Sequence, residues 1–277
     1  MLSIVYAVLR RSGRGTGLAL LWACLAFCPL AMKPALAELV SVRHSEGLMH
    51  GFLTLGSIDG TRLADGEINQ YTEGDLVHSQ LVFHFKDGSL YQEEATFSQR
   101  GKFRVRSDHL VQKGPSFEHP IETWIDAGTG QVKVHYMDGD GKPKDVDQRM
   151  ELPEDIANGL LFTLLRQLDP HVSRIVVSEV AMTPQPRLVK LVITPRGEET
   201  FSSGVIRHNA VHYVVQVKLG GFAGLVAPLI GKQPADLHVW IKGGVVPAFV
   251  KFEGPISNGG PIWRVQMAEP AKFPERE

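Results

Sequence analysis

Apolar and polar residues alternate with a period of two over much of this chain. In Leu76–Phe85, Val77, Leu81, Phe83 and Phe85 fall on one side, and His78, Gln80, His84 and the following Lys86 on the other. Lys102–Gln112 alternates again, with Phe103, Val105 and Val111 opposing Lys102, Arg104, Arg106 and Gln112. Val211, Tyr213, Val215 and Val217 oppose His212, Gln216 and Lys218. Successive side chains of a strand point to opposite faces, so this pattern predicts strands with one buried and one wet face, the habit of antiparallel sheets. Further strands are predicted at Ser89–Phe97, Ser173–Ala181, Arg187–Thr194, Leu237–Ile241, Val246–Phe252 and Trp263–Met267. Asp59-Gly60, Asp87-Gly88, Gly128-Thr129-Gly130 and Asp138-Gly139-Asp140-Gly141 supply turns between them. The expected fold is mainly β, a curved antiparallel sheet or half-barrel.

One stretch departs from the period of two. Leu152, Ile156, Leu160, Leu164 and Leu168 recur every fourth residue, with Leu161 and Leu165 on the same stripe. Pro153 suits a first helical position, Glu154 and Asp155 complement the positive N-terminal end, and Arg166 complements the other. The spacing predicts one amphipathic helix over about 153–168, stopped by Asp169-Pro170 and packed on the sheet. Residues 38–277 are expected to form a single all-β domain, with this helix dividing two halves of it.

The first 37 residues follow a different logic. Arg10, Arg11 and Arg14 precede an apolar run from Leu18 to Met32, and Ala35-Leu36-Ala37 gives the small-x-small pattern of a signal-peptidase site before Glu38. The run is shorter than the about 20 apolar residues of a membrane span. The expectation is a cleaved leader and a periplasmic or secreted product with no stable transmembrane segment. Both cysteines, Cys24 and Cys28, lie in the leader, so the remainder has no thiol for disulfides, nucleophilic catalysis or zinc. Trp22 before Ala23-Cys24 and Phe27 before Cys28 do not fit a lipidation box. Removing the leader's four basic residues from the 29 Lys+Arg leaves 25 against 30 Asp+Glu, a net charge of −5. A mildly acidic chain gives no electrostatic reason to expect nucleic acid as a partner.

Chemistry is sparse. The eleven histidines show neither His-x-His nor His-Glu-x-x-His spacing, and His208 and His212 lie roughly 13 Å apart at 3.3 Å per strand residue. No metal and no cofactor is expected. Asp138–Gly141 resembles the opening of a calcium loop, but Pro143 stands where glycine is needed and Arg149 where glutamate is. Neither a Gly-x-Ser-x-Gly elbow nor a phosphate-binding loop is present. Glu93-Glu94 and Glu198-Glu199 are not carboxylate pairs, because neighbours on a strand point apart. The densest polar cluster is Arg43–Gly51, where His44, Glu46 and His50 could supply a base, its orienting carboxylate and a second imidazole. The apolar, glycine-punctuated stretch Gly220–Gly231 offers Phe222, Leu225 and Ile230 as candidate ligand-binding residues over an apolar hollow, with Trp240 and Trp263 as candidate walls.

The segment Val239-Trp240-Ile241-Lys242-Gly243-Gly244-Val245-Val246-Pro247-Ala248-Phe249-Val250-Lys251, in a chain with an export leader and a mid-chain helix, resembles the closing hairpin of periplasmic β-proteins shaped like the LolA, LolB and LppX half-barrels. The resemblance covers mainly Ile206–Met267. It implies a curved sheet around an apolar cavity that takes lipid chains, with helices as a lid. The missing lipidation box departs from LolB and LppX. The leading expectation is therefore a non-enzymatic exported protein that binds an apolar small molecule or lipid. The alternatives are an envelope assembly partner, or a hydrolase built on His44, Glu46 and His50.

Overall fold

The computed structural model describes residues 39–203, 206–219 and 234–268. The predicted leader, its cleavage site after Ala37, and Phe222, Leu225 and Ile230 lie outside the described residues. The chain opens with an eight-strand meander: β1 (Met49–Ser57), β2 (Arg62–Glu73), β3 (Leu76–Phe85), β4 (Leu90–Ser98), β5 (Arg104–Lys113), β6 (Ile121–Asp126), β7 (Gln131–Met137) and β8 (Pro143–Arg149). A helix, α1 (Leu161–Gln167), follows. A second meander runs through β9 (Ile175–Ala181), β10 (Arg187–Ser203), β11 (Ile206–Lys218), β12 (Leu237–Lys242), β13 (Ala248–Gly254) and β14 (Trp263–Met267).

All fourteen strands form one antiparallel sheet in the order β8-β7-β6-β5-β4-β3-β2-β1-β14-β13-β12-β11-β10-β9. Each meander is a run of local hairpins, and the two are joined by pairing of the first strand with the last, from Leu53↔Met267 to Ser57↔Trp263. The free edges are therefore β8 and β9, and the sheet does not close between them. Gln148 Nε2 donates to the Pro186 carbonyl at 3.0 Å, tying β8 to the β9–β10 connection.

The predicted helix is shorter than the leucine spacing implies. Residues 155–158 instead cover the edge of β9. Ser178 N–H donates to the Asp155 carbonyl (3.1 Å) and Ala157 N–H to the Ser178 carbonyl (2.8 Å). The Asn158 amide then donates to the Val180 carbonyl (3.0 Å) and accepts from Val180 N–H (2.9 Å). An uncovered strand edge is a row of unpaired backbone groups, so satisfying it outweighs extending a helix by two turns. Gly159 takes φ +66, which a helix does not use and which glycine adopts without a Cβ clash. A seven-residue helix is not stable alone. Leu160, Leu164, Leu165 and Leu168 anchor it in the core, and Phe162 packs on Phe249 and Phe252 at ring distances of 4.9 and 5.6 Å.

The inner face carries the predicted stripes. Val77, Phe83 and Phe85 of β3, Val211, Tyr213 and Val215 of β11, and Trp263 of β14 belong to one continuous apolar cluster. One stripe needs correction. A bulge in β5, where Thr96 pairs with Ser107 but Phe97 with Val105, inserts Arg106 and shifts the alternation by one. Beyond it Asp108, Leu110 and Gln112 face inward, and Val111, expected inside, faces outward. Trp240 lies on the outer side of β12 yet is only 7% exposed, with the Lys251 ammonium 3.7 Å over its ring. Gly66 marks a point of close packing, since a Cβ there would lie 2.3 Å from the Phe83 ring. Gly66→Ala is therefore expected to cost about 1–3 kcal/mol of stability through overpacking, read as a lower urea midpoint with an unchanged slope.

Candidate functional site

The polar cluster singled out in the sequence is brought together by the fold, but around α1 rather than around its histidines. Glu46 has a side chain only 6% exposed, and its Oε2 accepts from Arg166 at 2.7 Å and from the Gln70 amide at 3.1 Å. Its Oε1 accepts from the Gln167 amide at 3.0 Å. Gln167 Oε1 in turn accepts the backbone N–H groups of Arg43 (2.9 Å) and His44 (2.8 Å), and its amide donates to the His44 carbonyl (2.8 Å). The result is a buckle that fastens residues 43–47 to the last turn of α1 and to β2. His50 sits on β1 against Glu67 of β2 (Nε2–Oε1 3.0 Å), half exposed and edge-on to Phe52. Among the described residues the Glu46 carboxylate is held by Gln70, Arg166 and Gln167, and by neither His44 nor His50. The three residues do not form a base–carboxylate dyad.

A second polar cluster lies inside the apolar interior. Tyr91 and Glu93 of β4 and Asp108 of β5 face inward, because Glu93 pairs with Leu110 and Asp108 with Ala95 on the same face. The two carboxylates are thus diagonal neighbours, a placement that puts Cα atoms roughly 7–8 Å apart. From β9, at the far end of the strand order, Glu179 faces them: the Glu93 charge acts on it, and its own charge acts on Asp108. The sheet is therefore rolled far enough that one free edge confronts the middle of the first meander.

The surroundings of these acids are unusual. Tyr91 Oη donates to Glu93 Oε2 at 3.1 Å, and the Gly159 backbone N–H also reaches the Glu93 carboxylate. Asp108 is 1% exposed, and neither of its carboxyl oxygens has a hydrogen-bond partner among the described residues. The hydroxyl of Thr123, a fully buried residue of β6, is likewise without one. A buried carboxylate that lacks a partner is expensive to ionise. Burial raises Glu93, and it raises Asp108 well above the usual carboxylate range, helped by the charges of Glu93 and Glu179. Burial, then the Glu93 charge, pushes Glu179 up to about 7. Burial likewise carries the Tyr91 phenol well above its ordinary value.

The cluster lies under the segment that precedes α1. A Cβ added at Gly159 would lie 2.7 Å from Asp108 Oδ1 and 2.5 Å from Ala95 Cβ. The stretch from Asp155 to Leu168 therefore covers the acids at one end and fills the apolar interior at the other. No group of three or more histidine, aspartate or glutamate side chains among the described residues is arranged to hold a metal ion. A groove of about 600 Å³ runs over β4–β7 and is lined by Glu94, Asp108, His109, Trp124, Asp126 and Lys133. Trp124 stacks there on His109 at 5.0 Å with 10° between the rings.

Sequence reasoning separated Glu93 from Glu94 correctly by face. It could not see Asp108, which the bulge turns inward, or the approach of Glu179.

No family model matches the chain, and no curated protein matches it. A comparison of solved structures returns a crystal structure of a β-barrel-like protein of a domain of unknown function, DUF1849, from Brucella abortus. It is 9% identical, with a TM-score of 0.42 over 84% of this chain and 98% of that one. The chain itself is a mainly β protein with a single unclosed antiparallel sheet and, among the described residues, one helix, none being long and apolar enough to cross a membrane.

Proposed function

We propose that this chain is an exported, non-catalytic protein that binds an apolar ligand or lipid in the hollow of its sheet, with the segment Asp155–Leu168 as a displaceable plug. The observation that carries the reading is the way the hollow is sealed. Fourteen strands form a continuous wall with β8 and β9 as its free edges; residues 155–158 cover the edge of β9, and α1 packs inside the wall on Phe249 and Phe252 of β13. That helix carries Leu161, Phe162, Leu164 and Leu165, so withdrawing it would leave an apolar hollow lined by Phe249 and Phe252. Apolar sites of this kind suit ligands whose driving force is surface removed from water. The plug's own side chains occupy the space against Phe249 and Phe252, so loading there requires the plug to move.

A disulfide across the plug tests this. The chain lacks cysteine after Ala37, so Phe162→Cys with Phe249→Cys introduces the only thiols of the leader-free protein. The oxidised variant, expressed with its leader and recovered from the periplasm, is expected to lose binding of a fluorescent fatty-acid probe at least tenfold. Reduction is expected to restore it. Equal binding by oxidised and reduced forms would place the ligand somewhere other than under α1.

A further inference from the structure

The interior acids are the strongest feature that the apolar reading alone leaves unexplained. Three carboxyl groups from three strands face one another inside an apolar wall, and among the described residues none of them is in an ion pair with a cationic side chain. Asp108, 1% exposed, has two oxygens without a partner among the described residues. The neighbouring inner-face hydroxyl of Thr123, two residues along β6 from the Ile125 that pairs with Asp108, is unpartnered too. Buried polar groups are normally satisfied, and each one that is not calls for a partner. A strand sequence that needed only to fill this space would place apolar residues here, as β5 does at Leu110 and β6 at Ile121 and Ile125.

We infer that the ligand is a cationic amphiphile, whose amine head is received by Glu93, Asp108 and Glu179 while its apolar chain occupies the hollow vacated by α1. This rests on the proposed function above. The chemistry is specific. An ammonium group brings several N–H donors and one positive charge, matching the two Asp108 oxygens that have no donor and a cluster without an ion-pair partner among the described residues. Thr123 Oγ1 can accept one further hydrogen bond. A carboxylate head would add a further negative charge to a cluster that is already costly to ionise, and a neutral alcohol would offer one donor and no charge. The geometry couples head to plug, because the Gly159 N–H on Glu93 and the Gly159 backbone against Asp108 occupy the space that the head would take. Seating the amine and seating the plug are then alternatives, so binding shifts the plug's population by the ligand's preference for the open state.

The test uses three probes of equal chain length below their micelle concentration: dodecylamine, dodecanol and dodecanoate. Each is titrated at pH 7 into the protein recovered from the periplasm, with displacement of Nile red, an uncharged apolar fluorescent probe, as readout. Dodecylamine is expected to bind at least tenfold tighter than dodecanol, and dodecanoate weakest. In Asp108→Asn and in Glu179→Gln the amine is expected to lose most of that advantage while dodecanol affinity stays within about twofold. Asn and Gln keep the shape and remove the charge, and the dodecanol titration reports that the variant is folded and loading. If dodecanol and dodecanoate bind as well as dodecylamine, or if the preference for amine survives both substitutions, the inference is overturned and the apolar reading stands. If none of the three displaces the probe, both fall.

Discussion

Glu179→Gln is expected to stabilise the folded chain above pH 7 and to leave it nearly unchanged at pH 4. Glu179 has an ordinary value of 4.5 and is pushed to about 7 in the fold, first by burial and then by Glu93. A carboxyl whose folded value is raised holds its proton more tightly when folded. Its contribution is therefore intact below about 4.5, is lost progressively as the pH rises toward 7, and reaches a constant deficit above that. At about 1.4 kcal/mol per pH unit over that window, ionising Glu179 costs the native state on the order of 3 kcal/mol at pH 8. Replacing it by Gln removes the titration. Asp108 and Glu93 move in the same direction, so the wild type should lose stability continuously from weakly acid to neutral pH. Urea unfolding of wild type and variant at pH 4, 6 and 8 reads this directly. A variant that is equally displaced at all three values, or less stable than wild type at pH 8, would show that Glu179 is not held in a desolvated site.

Arg166→Ala should be among the most destabilising single changes that do not touch the apolar core. The Arg166–Glu46 pair is nearly buried, with side chains 14% and 6% exposed. Removing one partner of such a pair strands the other charge, typically at a cost of 3–5 kcal/mol. Glu46 keeps the amides of Gln70 and Gln167, which places the expected loss near the lower end, about 3 kcal/mol. The double change Glu46→Gln with Arg166→Met removes both charges and should cost clearly less, because no unpaired ion remains. The consequence reaches the plug. The buckle holds the last turn of α1, so in Arg166→Ala the amides of residues 161–168 should exchange with deuterium faster than those of β3 and β4. Uniform acceleration across the sheet would mean that α1 does not open as a separate unit.

How far the sequence discloses this molecule depends on the range of the interaction. Hairpins are local: Asp87-Gly88 between two alternating stripes foretells β3 and β4, and Gly88 N–H duly closes the turn on the Phe85 carbonyl. Asp138-Gly139-Asp140-Gly141 is likewise a turn, with Gly141 at φ +73. The pairing of β1 with β14 has no local signature, so neither the single continuous sheet nor its free edges could be read off the chain. The leucine spacing over 152–168 was honest evidence for a buried stripe but not for its conformation. Ile156 reaches the core from a bridge to Ser178, and Leu164 from a helix. The interior acids were hidden for a related reason. Glu93 could be placed on one face by parity, but Asp108 reaches that face only because Arg106 bulges, and Glu179 only because the sheet rolls. The reverse holds for His44, Glu46 and His50, which proximity in sequence groups and the fold disperses: Glu46 belongs to α1 and His50 to Glu67.

Whether the hollow under α1 carries a ligand is tested most directly by native mass spectrometry of the protein expressed from its full sequence, followed by the same measurement after acid unfolding. The expected spectrum shows a single apolar adduct per chain, carrying an amine in its fragment ions, released on unfolding and missing from the oxidised Phe162→Cys/Phe249→Cys variant. A bare polypeptide mass in wild type, together with no uptake of added dodecylamine or dodecanol, would contradict it and turn attention to the outer groove at Trp124 and His109 as the working surface.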